Sequence, residues 1–325
     1  MTGTKLMGAT VITTSETFGG LCRPAVLDAP SNLGLSPPAE GVVPGCYKLA
    51  GALRDCGLVR RLGAGDAGCV TPPRYDRGGW KPGDGVFNAA ALAAYSRRLA
   101  GRLGRLLDAG RFPLVLGGDC SIVLGAALAL HRRGRYGLAF LDGHSDFRHL
   151  GNSARVGAAA GEDLALVTGR GQADLTDLDG RRPYVRDEDV AVLGIRDGDE
   201  ALAELRGLGV PVWEVARLRA GGPAEAASAA VRHLARDGVD GFWLHLDADI
   251  LDPAVMPAVD SPDPGGLGHD ELAALLAPLV ASPSCVGLEV TVFDPDLDPD
   301  GGLAHDLTDT LVAGLAPALT ARTKE

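Results

Sequence analysis

Residues 112–146 read FPLVLGGDCSIVLGAALALHRRGRYGLAFLDGHSD, and the order of patterns within them decides the fold. A five-residue apolar run, Phe112-Pro113-Leu114-Val115-Leu116, stops at the pair Gly117-Gly118. Ala and Leu then recur at helical spacing over 121–133, and a second apolar run, Leu138-Ala139-Phe140-Leu141, ends on Asp142-Gly143-His144-Ser145-Asp146. Short apolar runs closed by turn signals mark strands buried on both faces, and the succession strand, helix, strand is a βαβ unit. The alternation continues outward. Phe242-Trp243-Leu244-His245-Leu246 reads as another strand, and helical spacing over 89–107, 224–236, 269–281 and 303–319 supplies covering helices. The expected fold is α/β, a three-layer α/β/α sandwich with a central, mainly parallel sheet.

Ligands of such sheets bind beyond the carboxyl ends of the strands. Three clusters fall there: Gly117-Gly118-Asp119-Cys120-Ser121, Asp142 to Asp146, and Asp247-Ala248-Asp249. No low-complexity linker or fixed-period repeat divides the 325 residues, so one domain over 1–325 is expected. Gly/Pro-rich stretches at 30–45 and 63–85 read as loops, the second long enough to form an active-site rim.

A formal net charge of −11 speaks against nucleic acid or an anionic membrane as partner, since both call for a basic surface. Residues 1–18 have neither a signal-peptide core nor an apolar span, and the expected location is the cytoplasm. Six cysteines, at 22, 46, 56, 69, 120 and 285, form no CxxC pair, so a paired-cysteine zinc site is absent, and a chain of this size argues against a disulfide framework. Five of them read as small buried or half-buried thiols. Cys120 alone stands beside other ligand types.

Side chains at i, i+2 and i+4 of an extended segment share a face, so Asp142, His144 and Asp146 converge, as do Asp247 and Asp249 at a second strand end. Four carboxylates in one small space repel unless cations hold them. A single Asp at a strand end is commonly the cap of the next helix. Two clusters at equivalent ends point instead to metal. Carboxylates with one or two imidazoles suit manganese, iron or zinc, and two bridged ions suit a shared hydroxide.

These residues resemble the arginase and agmatinase ureohydrolases. The family's GGDH, DAHxD and SxDxDxxDP motifs are similar to Gly117 to Cys120, Asp142 to Asp146 and His245 to Pro253, and Ala25 to Pro30 resembles an early strand. The similarity spans about residues 24–319. It implies two Mn2+ ions, with Fe2+ or Zn2+ as alternatives. One would take Cys120, Asp142, Asp146 and Asp247; the other Asp142, His144, Asp247 and Asp249, with Asp142 and Asp247 bridging. It also implies a small guanidino substrate, attack of hydroxide on the guanidinium carbon, and a homo-oligomer, trimer or hexamer. Glu289 matches the family's guanidinium-pairing glutamate, and its neighbours Val286, Leu288, Val290 and Val292 look buried. Gly194 to Asp199 resembles GLRDxD, where Asp199 would hold a substrate α-ammonium; Asp-Gly-Asp is equally an ordinary turn before a helix.

Two departures from the family stand out. No His aligns with the proton shuttle, Val156 falling nearest; His149 is an alternative from elsewhere in the loop, and Arg148 or Arg155 would bind a substrate carboxylate. Cys120 replaces a ligand imidazole, adding negative charge, weakening the pull on bound water and favouring softer ions. Such a site suits a more reactive guanidine, and relatives with this exchange split N-hydroxy-arginine to ornithine and hydroxyurea. The expected function is that reaction. Alternatives are arginase, agmatinase or guanidinobutyrase activity, formimidoylglutamase activity, and a catalytically silent homologue acting as a binding subunit. A phosphate-binding reading of Gly117-Gly118 lacks P-loop spacing.

Overall fold

The computed structural model describes residues 24–322. Cys22 and the stretch 1–18 lie outside them. The described strands are β1 (Pro24–Asp28), β2 (Gly65–Cys69), β3 (Phe112–Leu116), β4 (Gly137–Leu141), β5 (Val190–Leu193), β6 (Val212–Trp213), β7 (Phe242–Asp247) and β8 (Cys285–Thr291). They form one eight-stranded sheet in the order β2-β1-β3-β8-β7-β4-β5-β6. Every pairing is parallel, so the sheet goes further than the mainly parallel one expected.

Alternation along the strands feeds two apolar layers. Leu114, Leu116, Ala139, Leu141, Leu244 and Leu246 face one side, packing with the helices Pro223–Leu234, His269–Ala281 and Gly302–Arg322. Val115, Leu138, Phe140 and Trp243 face the other, with the helices Ala89–Asp108, Val123–His131 and Asp163–Val167. Helices on both faces make the expected three layers. Every residue of β3, β4 and β7 is buried, which is why these strands read as unbroken apolar runs.

The loop expected over 63–85 contains β2. This edge strand, Gly-Asp-Ala-Gly-Cys, buries only Ala67 and so carries no apolar run. Strand β6 is two residues long, too short for a periodicity. Among the described residues no helix is long and apolar enough to cross a membrane.

Candidate metal centre and cavity

The consecutive strands β3, β8, β7, β4 and β5 bring their carboxyl ends to one cavity of about 590 Å³. Cys120, His144, Ser145, Asp146, Asp247, Asp249 and Val292, from the strand ends, line it. Residues drawn from the loop after β4 (Arg148, Arg155, Ala158, Ala160 and Gly161), the stretches 196–200 and 260–263, and Leu35-Ser36 form the walls. The stretch 63–85, expected at the rim, lines none of it. Tyr75 instead donates to the carbonyl of Leu35 (2.9 Å), bracing the wall from behind.

After β3 the chain turns at Gly117-Gly118, where a Cβ on Gly118 would stand 1.6 Å from the Ser31 carbonyl oxygen. Only glycine permits that approach. Asp119 then caps the short helical turn. Its carboxylate accepts from the Ser121 amide (3.0 Å) and the Ser31 hydroxyl (2.8 Å), so it is a structural brace and not a ligand. Cys120, 1% exposed, places Sγ 2.6 Å from an oxygen of Asp247 and 3.1 Å from the Thr291 hydroxyl. Burial pushes its thiol well up, with Asp247 next in effect.

Asp142 is fully buried and Asp247 nearly so. Burial, then the neighbouring carboxylates, raises both far above the ordinary carboxylate range. His144 links Asp249 (Nδ1, 2.9 Å) to Asp263 (Nε2, 3.1 Å). Burial pulls the imidazole pKa down, but the hydrogen bond and charge of Asp249 prevail and carry it up to about 10. Burial also raises Asp249, and His144 outweighs it, leaving that carboxyl below the usual range. Asp146 sits on the cavity wall with φ 42°, its carboxyl pushed by burial to about 7. Val292 has φ 73°, strained backbone for a β-branched residue, at the cavity surface.

Two sets of donor atoms lie within 4.8 Å of one another: Cys120, Asp142, His245 and Asp247, and beside it Asp142, His144 and Asp249. The structure therefore brings together Cys120, Asp142, His144, Asp247 and Asp249 as expected, with Asp142 common to both sets. It does not bring Asp146 into the first set or Asp247 into the second. His245 takes part although the sequence reading passed over it. The signal was present, because His245, Asp247 and Asp249 share the i, i+2, i+4 spacing used for residues 142–146. Asp142 Oδ2 and His245 Nε2 are buried without a hydrogen-bond partner, which fits a centre built for cations.

Glu289 is a correction. It is 0% exposed, absent from the cavity lining, and accepts a hydrogen bond from His245 Nδ1 at 2.8 Å. Its strand alternation points it beneath the floor, where it meets an imidazole and not a substrate. Val292, three residues on, occupies the cavity surface. Of the apolar neighbours that suggested burial, Leu288, Val290 and Val292 are buried and Val286 only partly, but burial here closes the residue off. Asp163, also 0% exposed and unread in the sequence, joins this layer with both oxygens unpartnered.

The walls are held by pairs. Arg148 and Arg155 line the cavity and bind opposite oxygens of Glu200 (3.2 and 3.0 Å). Asp199 lines it too, accepting from the Ser145 amide (3.0 Å) and the Ala201 amide (2.8 Å), contacts of a local turn made by a side chain that also faces the cavity. His149 faces Glu204 (3.1 Å) and lines none of the cavity, which removes it as a replacement shuttle. Arg196, unread as a support, donates to the carbonyls of Asp249 (2.8 Å) and Asp263 (2.8 Å), tying the β5 and β7 ends together.

Comparison with known proteins gives one consistent result. The model of the arginase family matches residues 54–319. The chain is 35% identical over 213 residues to the arginase of Brevibacillus brevis, covering 65% of this chain and 70% of that protein. The arginase of Bacillus caldovelox is 29% identical over 255 residues, 76% of this chain and 84% of that one. The native structure of that arginase superposes with a TM-score of 0.81 at 26% identity, over 91% of this chain and 98% of its own.

Proposed function

The chain belongs to the arginase family, and from that premise we propose that it hydrolyses a guanidino C–N bond, with N-omega-hydroxy-L-arginine giving L-ornithine and hydroxyurea. The observation that carries the finer reading is Cys120, whose sulfur stands among the donors of the first set where the family motif has an imidazole. Two divalent ions bound by these sets supply Lewis acidity and a water deprotonated near neutral pH.

The chain's own residues do the rest. Asp142 bridges the two sets. Asp247 adds a second carboxylate in the first, and His144 and Asp249 complete the second. A thiolate ligand adds negative charge next to the ions and lessens their pull on water, so the site favours a guanidine already made less basic by an N-hydroxyl. Asp146 lines the cavity outside both donor sets and is therefore available to pass a proton to the departing amine. Acidic side chains outnumber basic ones around the cavity, which suits a cationic substrate. Asp199 and Arg148 face the substrate's α-ammonium and α-carboxylate, and Arg155 backs Arg148.

Plain arginine is the second reading, supported by the 35% identity to the Brevibacillus brevis arginase. Turnover of arginine, N-hydroxy-arginine, agmatine and 4-guanidinobutyrate decides between them, with urea, hydroxyurea and metal content measured together. The highest kcat/KM for N-hydroxy-arginine is expected. A clear preference for arginine returns the chain to ordinary arginase activity, and a chain that binds no divalent ions is not a hydrolase of this class.

A further inference from the structure

Behind the floor of the cavity lies a row of side chains that the sequence motifs do not explain. In the sheet register Phe140 on β4 pairs with His245 on β7, and His245 with Glu289 on β8. The three side chains therefore stand on one face, one row below Asp142, Asp247 and Thr291. Phe140 stacks on the imidazole, with ring centroids 4.7 Å apart and planes 12° apart. Glu289 accepts from Nδ1 at 2.8 Å. Stacking on one side and a carboxylate behind leave the ring no freedom to turn.

The other ring nitrogen, Nε2, is buried with no hydrogen-bond partner. It stands 3.9 Å from Asp142 Oδ2 and 3.9 Å from Asp163 Oδ2, both of them buried and unpartnered. Orphaned polar atoms so deep in a sheet are rare, and here a lone pair and carboxylate oxygens converge on one point. A separation of 3.9 Å is too long for a hydrogen bond, yet two donors of one cation at about 2.0–2.2 Å each span it. A ring nitrogen of His245 also lies within 4.8 Å of Cys120 Sγ and an Asp247 oxygen.

We infer that His245 is a ligand of the inner ion, completing a Cys120, Asp142, Asp247 and His245 set, with Glu289 positioning it through Nδ1. The inference rests on the two-ion reading of the site and deepens it. The imidazole missing at position 120 is supplied from β7, two strands along the sheet from β3, in the carboxylate-histidine-metal arrangement that fixes ring orientation and raises ligand basicity. Asp146, left outside this set, keeps its place on the cavity wall. Thiolate and imidazole together also make the inner position softer than the outer, so zinc or iron is preferred there over manganese. The competing account is a buried structural cluster in which His245 bridges Glu289 and Asp163 and touches no ion.

X-ray absorption on the full-length protein loaded with zinc or cobalt separates the two, because imidazole rings give characteristic outer-shell scattering. Two imidazoles per pair of ions, His144 and His245, are expected, falling to one in His245→Ala. Glu289→Gln keeps the ring but weakens its orientation, and the inner ion's affinity should fall about 10- to 100-fold. In melting experiments the increment in Tm gained on adding metal should shrink in His245→Ala; a purely structural role lowers the chelated and loaded proteins alike. One imidazole in the native two-ion protein, with unchanged metal affinity in Glu289→Gln, overturns this inference and leaves the two-ion reading intact. A native chain that takes up no ions overturns both. The absorption measurement on the native protein stands even where His245→Ala fails to fold.

Discussion

The floor and the wall of the cavity are built on opposite terms. On the floor, Asp142 and His245 are fully buried and present atoms with no partner inside the protein. On the wall, Arg148, Arg155 and Asp199 all have partners, in Glu200 and in the amides of Ser145 and Ala201. The floor is incomplete without a cation, because buried carboxylates repel and gain nothing from solvent. The wall is satisfied by itself and must exchange pairs to meet a substrate. Under the proposed function, chemistry would be fixed where the sheet is rigid, and selectivity would rest on exposed pairs weak enough to be replaced.

Removing a floor carboxylate tests that contrast most severely. Asp142→Asn should lower kcat at least about a thousandfold, roughly 4 kcal/mol, and abolish uptake of a second ion in elemental analysis. Measured with chelator present, the same variant should be more stable than the native chain by about 1–3 kcal/mol, since one repelling carboxylate is gone. Loss of stability there would show that the floor acids are not held in conflict.

The junction of wall and scaffold has its own signature. Glu162, 2% exposed, accepts from the Gly157 amide at 2.6 Å, and burial lifts its carboxyl to about 7. Its folded value lies above the ordinary 4.5, so the stability it contributes is complete below about pH 4.5 and disappears as pH rises through 7. The unfolding free energy of the chelated protein, from urea titrations, should decline over that window, with Glu162 contributing up to about 3 kcal/mol. Glu162→Gln, which can keep the amide hydrogen bond, should make the decline shallower by this share, the buried floor carboxylates keeping theirs.

Cys120→His asks whether the floor also sets preference. Two ions should remain bound, and the ratio of kcat/KM for arginine over N-hydroxy-arginine should rise about tenfold or more, near 1.4 kcal/mol. An unchanged ratio would move the determinant of preference to the wall. The smallest expected effect is at the wall itself. Arg148→Ala should raise KM for substrates with an α-carboxylate about fivefold, roughly 1 kcal/mol, and leave agmatine, which lacks that group, unaffected.

Legibility in the sequence followed burial. Strands β3, β4 and β7 could be read because both faces are apolar, and the helices Ala89–Asp108 and His269–Ala281 because Ala and Leu repeat along them. Strand β2 could not, since an edge strand with one buried side chain carries no pattern. Motif spacing located Cys120, Asp142, His144, Asp247 and Asp249. Glu289 was misplaced because a motif gives the strand and not the direction in which a side chain leaves it. His245 was missed because it stood at the apolar end of a strand, where a polar residue reads as an exception rather than a donor.

The sequence by itself determined the central strands β3, β4 and β7 and the clusters at their carboxyl ends, because local periodicity and spacing are properties of neighbours along the chain, and its motifs carried the resemblance to the family. Only the tertiary structure decided that β7 lies between β8 and β4. That order sets Asp142 beside Asp247 and stacks Phe140, His245 and Glu289 in one row beneath them. Strand order and register are settled by long-range packing of two helical layers on a shared sheet, and no window of sequence contains that information.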